Sequence, residues 1–268
     1  MIRHLFAAAL ALCACAPPNT PAQAQSQAPA GSLFAANADR QWRLPEQLRE
    51  ISGLAVSADG RVFAHDDERA VIYELDTAEG RIIKAFSLSS GGAIETGDFE
   101  GLAITPAGDF WMVTSRGQLF RFREAADGAA APFERFNTGL RNVCEIEGLA
   151  YLAAEESLII ACKRNEARDM RDTVSLHIWR IGAAEAAPWR SWPEAALAGA
   201  ARVDSFRPSS LDIDPATGRL LLLSARDGAL AEIDGERIAS ARALGRAHIQ
   251  AEGVAVLSDG SLAISDEG

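Results

Sequence analysis

The 268 residues carry 37 Asp or Glu against 26 Lys or Arg, a formal net charge of −11, with 48% hydrophobic residues. An acidic balance of that size without a basic stripe excludes nucleic acid or an anionic membrane surface as the main partner. Once an N-terminal leader is set aside, roughly 235 residues remain, enough for one closed domain with a sizeable core, and no linker divides them.

Met1-Ile2-Arg3-His4 is a short basic start, and Leu5 to Ala14 is an apolar run as long as a signal-peptide core and too short to span a bilayer. Two cleavage points fit. Leu12-Cys13-Ala14-Cys15 resembles a bacterial lipobox with Cys15 as lipid acceptor, and the Pro/Gln/Ala-rich run 16–30 would then be a disordered tether. Ala22-Gln23-Ala24 fits an ordinary signal peptidase equally well. Either choice exports the domain to the periplasm, free or anchored at the outer membrane, with no transmembrane span after processing. Residues 1–30 are read as signal and tether, and 31–268 as a single domain.

Gln41-Trp42-Arg43-Leu44-Pro45 stands where later repeats have their outermost strand, so it is expected to close the ring by completing the last blade. From Ile51 one unit recurs. Ile51-Ser52-Gly53-Leu54, Phe99-Glu100-Gly101-Leu102, Ile146-Glu147-Gly148-Leu149, Ser209-Ser210-Leu211-Asp212 and Ala251-Glu252-Gly253-Val254 are five copies. The steps from Ser52 to Glu100, Glu147, Ser209 and Glu252 are 48, 47, 62 and 43 residues, near the period of a four-stranded propeller blade.

Turns such as Ala58-Asp59-Gly60 and Pro106-Ala107-Gly108 follow, then second apolar runs such as Leu220-Leu221-Leu222-Leu223, then period-2 third strands such as Gln118-Leu119-Phe120-Arg121-Phe122. The fifth copy has no third strand before Gly268. The fold predicted is all-β, a β-propeller of five repeats. A sixth, degenerate blade within 182–201 is the alternative, although Pro193 to Ala198 there also reads as a turn or two of helix. Cys144 and Cys162 fall at the same end of the third repeat. A disulfide is geometrically open to them, and two buried thiols are the competing reading.

If the repeated motif is the innermost strand, closure brings Ser52, Glu100, Glu147, Ser209 and Glu252 toward the axis, with Glu50, Asp98, Glu145, Arg207 and Gln250 two residues earlier on the same side. Antiparallel pairing delivers the ends of the second strands to the same mouth: Asp66, Arg116, Lys163, Arg164, Arg226, Asp266 and Glu267. Converging carboxylates repel unless something positive sits among them. Glu100, Glu147 and Glu252 are therefore candidate ligands for a calcium ion, which takes oxygen donors in irregular geometry. The competing reading has Arg116, Arg164 and Arg226 neutralise them in an inert ion network. Ser52, Asp66, Arg116, Lys163, Arg164, Ser209, Arg226, Asp266 and Glu267 are the candidate ligand-binding mouth, suited to a small anion or an envelope protein. Ser209 or Ser210 with His65 and a carboxylate is the triad the sequence offers for nucleophilic catalysis.

The five copies, with Leu158-Ile159-Ile160-Ala161-Cys162-Lys163 and Ile264-Ser265-Asp266-Glu267, resemble successive blades of the SdiA-regulated family over about Glu50 to Gly268. The resemblance implies an exported or envelope-anchored β-propeller without an established reaction, with calcium in the channel. The esterase-like phytase propellers are similar in their Glu-Gly-Leu-Ala blade start. Two functions of different class follow: a propeller that binds a ligand or partner at its charged mouth without turnover, or a metal-dependent phosphoesterase or esterase at the same place.

Overall fold

The computed structural model describes residues 40–245 and 248–268. Cys15, both cleavage points and the tether lie outside the described residues. The chain folds as an all-β propeller with four blades. The first holds β1 (Ile51–Val56), β2 (Val62–Asp66), β3 (Val71–Asp76) and β4 (Arg81–Ser90), with the short β5 (Ala93–Ile94) on its outer edge. The second holds β6 (Phe99–Ile104), β7 (Asp109–Thr114), β8 (Gln118–Arg123) and β10 (Phe133–Asn137), while β9 (Ala130–Ala131) runs parallel to β4. The third holds β11 (Cys144–Leu152), β12 (Ser157–Asn165), β13 (Thr173–Arg180) and β14 (Ala187–Pro193), followed by helix α1 (Glu194–Ala201). The fourth holds β15 (Ser210–Ile213), β16 (Leu220–Ser224), β17 (Ala229–Asp234) and β18 (Arg237–Ala243), and β19 (Ala251–Val256) pairs only with β20 (Leu262–Asp266).

The repeated glycine has a steric cause. A Cβ on Gly101 would stand 2.7 Å from the Leu149 backbone nitrogen, and one on Gly148 3.1 Å from that of Leu211. Inner strands of neighbouring blades approach at this position more closely than any side chain allows. The fourth copy has Ser210 instead, whose Oγ accepts the Val254 N–H at 3.3 Å, so a hydrogen bond joins β15 to β19 at this position. β19 in turn lies against β1, since a Cβ on Gly253 would meet the Leu54 nitrogen at 3.3 Å. Apolar clusters fill the spaces between sheets. Phe63, Phe110 and Phe122 pack between the first and second blades, and Trp111, Trp179 and Phe136 between the second and third.

Three expectations meet the structure here. Gln41 to Pro45 forms no strand. The Trp42 indole donates to Ala78 O at 3.2 Å and its ring covers Gly80, which holds the segment on the β3–β4 turn, and Leu44 and Leu48 then pack beside Val62, Leu257 and Ala263. Residues 182–201 supply β14 and α1 rather than another blade, with Leu197, Ala198 and Ala201 of the helix buried. Cys144 and Cys162 are joined by a disulfide with a Cα–Cα distance of 5.7 Å, tying the start of β11 to the end of β12. No helix among the described residues is long and apolar enough to cross a membrane.

Candidate functional site: a polarised mouth

Four of the five axial residues sit on β-bulges. Strand pairing slips between Ile51 and Gly53, Phe99 and Gly101, Ile146 and Gly148, and Ala251 and Gly253, leaving Ser52, Glu100, Glu147 and Glu252 as the unpaired extra residues. A bulge bends its strand and re-aims a side chain, here toward the centre of the ring. A short polar motif in sequence thus becomes an inward-facing carboxylate in three of the five copies.

Two cavities adjoin at the mouth. The narrower, about 160 Å³, is lined by Ser52, Glu100, Glu147 and Glu252, and above them by Glu50, Asp67, Gln250 and Glu267. Among the described residues, six carboxylates therefore face a single ammonium, that of Lys163, which donates to Glu147 Oε1 at 2.9 Å. Ser52 Oγ donates to Glu100 Oε2 at 3.0 Å. Burial, then the charges of Glu147 and Asp98, push Glu100 up to about 9, against the pull of the Ser52 hydroxyl. Burial raises Glu147 to about 7, with Lys163 opposing it. Burial and the Glu147 charge raise Glu252 to about 7. Asp67 and Glu267 also lie above the ordinary carboxylate range, from burial first and then from the carboxylate of Glu50.

The wider cavity, about 400 Å³, has the opposite character. Arg164, Arg207 and Arg226 line it with Lys163, against Glu145 and Glu252, while Ser209 and Ala225 leave it open. Arg164 is held by Glu145 at 2.9 Å. Arg207 reaches only to 4.0 Å from Glu194, and Arg226 is exposed with no partner among the described residues.

The structure thus brings together Ser52, Glu100, Glu147, Lys163, Glu252 and Glu267 in one cavity, and Lys163, Arg164, Ser209 and Arg226 in the other. Asp66, Asp266 and Arg116 line neither. Pairing opposes Gly53 to His65 and Gly253 to Ser265, so Asp67 and Glu267 fall two residues beyond on the mouth-facing side, while Asp66 and Asp266 point away. Asp66 instead accepts the N–H groups of Glu68 and Arg69 at 3.1 and 2.7 Å, and Asp266 lies 2.8 Å from His248 Nδ1. The side-chain alternation and the bulge together could have picked Asp67 from the sequence; the His248–Asp266 pair had no signal there.

The inert arginine network does not form on the axis. Arg164 is taken by Glu145, and neither Arg116 nor Arg226 lines the narrow cavity. The triad does not assemble either. Ser209 Oγ donates to Ala251 O at 2.9 Å, and His65 is fully buried against Gly53 with Nδ1 2.9 Å from Asp66 O. Burial holds His65 neutral by lowering its pKa to about 4.

As a calcium site the narrow cavity offers the right atoms, oxygens of carboxylates, a hydroxyl and an amide. Its glutamates are spread around the opening. Among the described residues, the acidic, thiol or imidazole groups whose ligand atoms lie within 4.8 Å of one another as a set of three are Cys144, Cys162 and His177, and two of those are joined as the disulfide. An ion at the mouth would fill its shell with water as well as side chains, as calcium readily does.

Residues 37–268 match the family described as SdiA-regulated. No curated protein matches the chain. Among solved structures, glutaminyl cyclase of Myxococcus xanthus is similar with a TM-score of 0.55 and 16% identity, over 84% of this chain and 89% of that one. Virginiamycin B lyase of Staphylococcus aureus, solved with quinupristin, is similar with a TM-score of 0.46 and 11% identity, over 85% of this chain and 67% of that one. A nidogen/laminin complex gives a TM-score of 0.47 and 16% identity, over 81% of this chain and 72% of that one. At 16% identity the likeness to the glutaminyl cyclase speaks to fold and not to chemistry.

Proposed function

The chain belongs to the SdiA-regulated family, and from that membership we propose that it is an exported, envelope-associated propeller that binds a ligand at its mouth with the help of a calcium ion. The two-stranded sheet β19–β20 counts as its fifth blade in this reading. Export rests on the basic start and apolar run of residues 1–14 and on the disulfide, a bond that persists in oxidising compartments. Anchoring through Cys15 or release into the periplasm are its two forms.

The observation that carries the cation is the excess of six carboxylates over one ammonium in the narrow cavity, with Glu100, Glu147 and Glu252 all held above the ordinary range. Such a set stays ionised at neutral pH only if positive charge joins it. Glu100, Glu147 and Glu252, with Ser52 Oγ and the Gln250 amide, would hold the ion, which would fix the carboxylates and offer an open coordination position to a ligand.

Metal-dependent hydrolysis of phosphate esters or esters is the second reading, favoured by the cationic wall lying beside the carboxylates. Protein stripped with EDTA and then titrated with calcium should melt higher in proportion to calcium, and Glu147→Gln should blunt the response. A melting temperature indifferent to calcium sinks the cation. Assaying both proteins with calcium against phosphomonoesters and simple esters decides the second reading, which falls if neither turns anything over.

A further inference from the structure

The equivalent positions of the five copies divide the mouth unevenly. Two residues before the axial position stand Glu50, Asp98, Glu145, Arg207 and Gln250, so only the fourth blade places a cation there. At the axial position the fourth blade has Ser209 where its neighbours have Glu147 and Glu252. Two residues past the one opposite the inner glycine (Ser210 in the fourth copy) come Asp67, Ser115, Lys163, Ala225 and Glu267, and one further on come Arg116, Arg164 and Arg226 in the second, third and fourth blades, of which only Arg164 and Arg226 line the wider cavity. Blades three and four thus combine small side chains that make room with long cations that line it.

Neutralising the neighbouring carboxylates explains only half of these cations. Lys163 is bound to Glu147 and Arg164 to Glu145, both at 2.9 Å. Arg226 has no carboxylate partner among the described residues, and Arg207 stands 4.0 Å from Glu194, outside the narrow cavity. Both nevertheless line the same 400 Å³ chamber as the Lys163 side chain. Guanidinium groups offer paired N–H donors in a fork that matches the two oxygens of a carboxylate or phosphate.

We propose that this chamber is an oxyanion site that takes the phosphate or carboxylate head of a small molecule on Arg207 and Arg226, with Lys163 at its inner wall. Ile249, 86% exposed at the rim, meets the carbon skeleton of the guest. The inference rests on the mouth being a ligand site, as proposed above, and adds the class of ligand.

Calorimetric titration of the intact protein with inorganic phosphate, and separately with succinate, tests it, at fixed ionic strength with EDTA present. Saturable binding of at least one anion is expected, weakened about tenfold by Arg226→Gln and by Arg207→Gln, the loss of one charge-assisted contact. Arg180→Gln, at the far end of β13 from the mouth, should bind as the parent does. Phosphate binding alone assigns a phosphoryl head, and succinate alone a carboxylate. No saturable heat from either anion, or binding that survives both substitutions, overturns the proposal. The calcium-dependent melting shift measured on the same proteins keeps the two readings apart. If it persists while the anions fail, only the oxyanion site is lost; if the anions bind without it, only the cation is.

Discussion

Lys163 donates to Glu147 across 2.9 Å, and its side chain lines both the acidic and the basic cavity, with Gln250 and Glu252 beside it. The bond opposes the burial that otherwise raises the Glu147 pKa. Lys163→Gln should therefore lower the metal-free stability at mildly alkaline pH. With the Lys163 side chain 37% exposed, the loss expected is about 1–2 kcal/mol rather than the larger cost of breaking a fully buried pair. The calcium-induced rise in melting temperature should be greater than in the parent, because the ion then replaces the one positive charge that lines the cavity among the described residues. Differential scanning fluorimetry with EDTA and with calcium reads both effects, and equal calcium responses would contradict this role of Lys163.

The same carboxylates set the pH dependence. Glu147 and Glu252 titrate near 7 and Glu100 near 9 in the folded protein, against an ordinary value of 4.5. Between the ordinary value and the folded one, the folded state holds protons that the unfolded chain has released, so stability falls as pH rises through that interval. Metal-free protein should accordingly melt lower at about pH 9 than at about pH 7, and Glu100→Gln should flatten that slope. His65, lowered to about 4, contributes in the opposite sense and only below its unfolded value of 6.5, outside this window. A metal-free melting temperature that holds level or climbs from pH 7 to 9 would contradict the burial of ionisable glutamates.

The repeat, the identity of the axial positions and the acidic mouth were legible in the sequence because they rest on periodicity, which ring closure converts directly into proximity. The assignments that failed depended on local choices. Asp66 and Asp67 are neighbours in a charged run, and only the register set by the bulge at Ser52 decides which one turns to the mouth. Asp66 then satisfies its own turn. Gln41 to Pro45 had the right place in the chain for a closing strand, yet the Trp42 indole found the Ala78 carbonyl and the bare face of Gly80. Charge signs did not reveal that blades three and four differ from the rest until Ser209 and Ala225 were seen to leave a chamber between their cations.

Gly101 separates the steric role of the motif from its electrostatic one. A methyl group there would lie 2.7 Å from the Leu149 nitrogen and 2.8 Å from its Cβ, both on the facing inner strand. Since backbone blocks it, relief requires the second and third blades to move apart. Gly101→Ala should cost about 1–3 kcal/mol, the usual penalty of overpacking. Chemical denaturation measures it, and Gly182→Ala, where a Cβ would meet no neighbouring atom although φ is +89°, shows the cost of backbone strain alone. The steric account fails if Gly101→Ala loses no more than that.

The Cys144–Cys162 bond closes an 18-residue separation that takes in β11, the turn and β12 as far as Cys162. Its constraint on the unfolded chain is worth about 3 kcal/mol by loop-closure entropy. Lys163 follows Cys162 directly, so the bond also fixes the root of the residue that bridges the two cavities. Reduction, or the Cys144→Ala/Cys162→Ala double variant, should therefore lower stability by roughly that amount and, by loosening Lys163 from Glu147, enlarge the calcium response in the same direction as Lys163→Gln. The double variant is the cleaner of the two, because it leaves no thiol beside His177, which lies 3.4 Å from Cys162 Sγ. Unfolding curves that coincide for the oxidised, reduced and doubly substituted proteins would mean that the hairpin needs no covalent tie to hold Lys163 at the mouth.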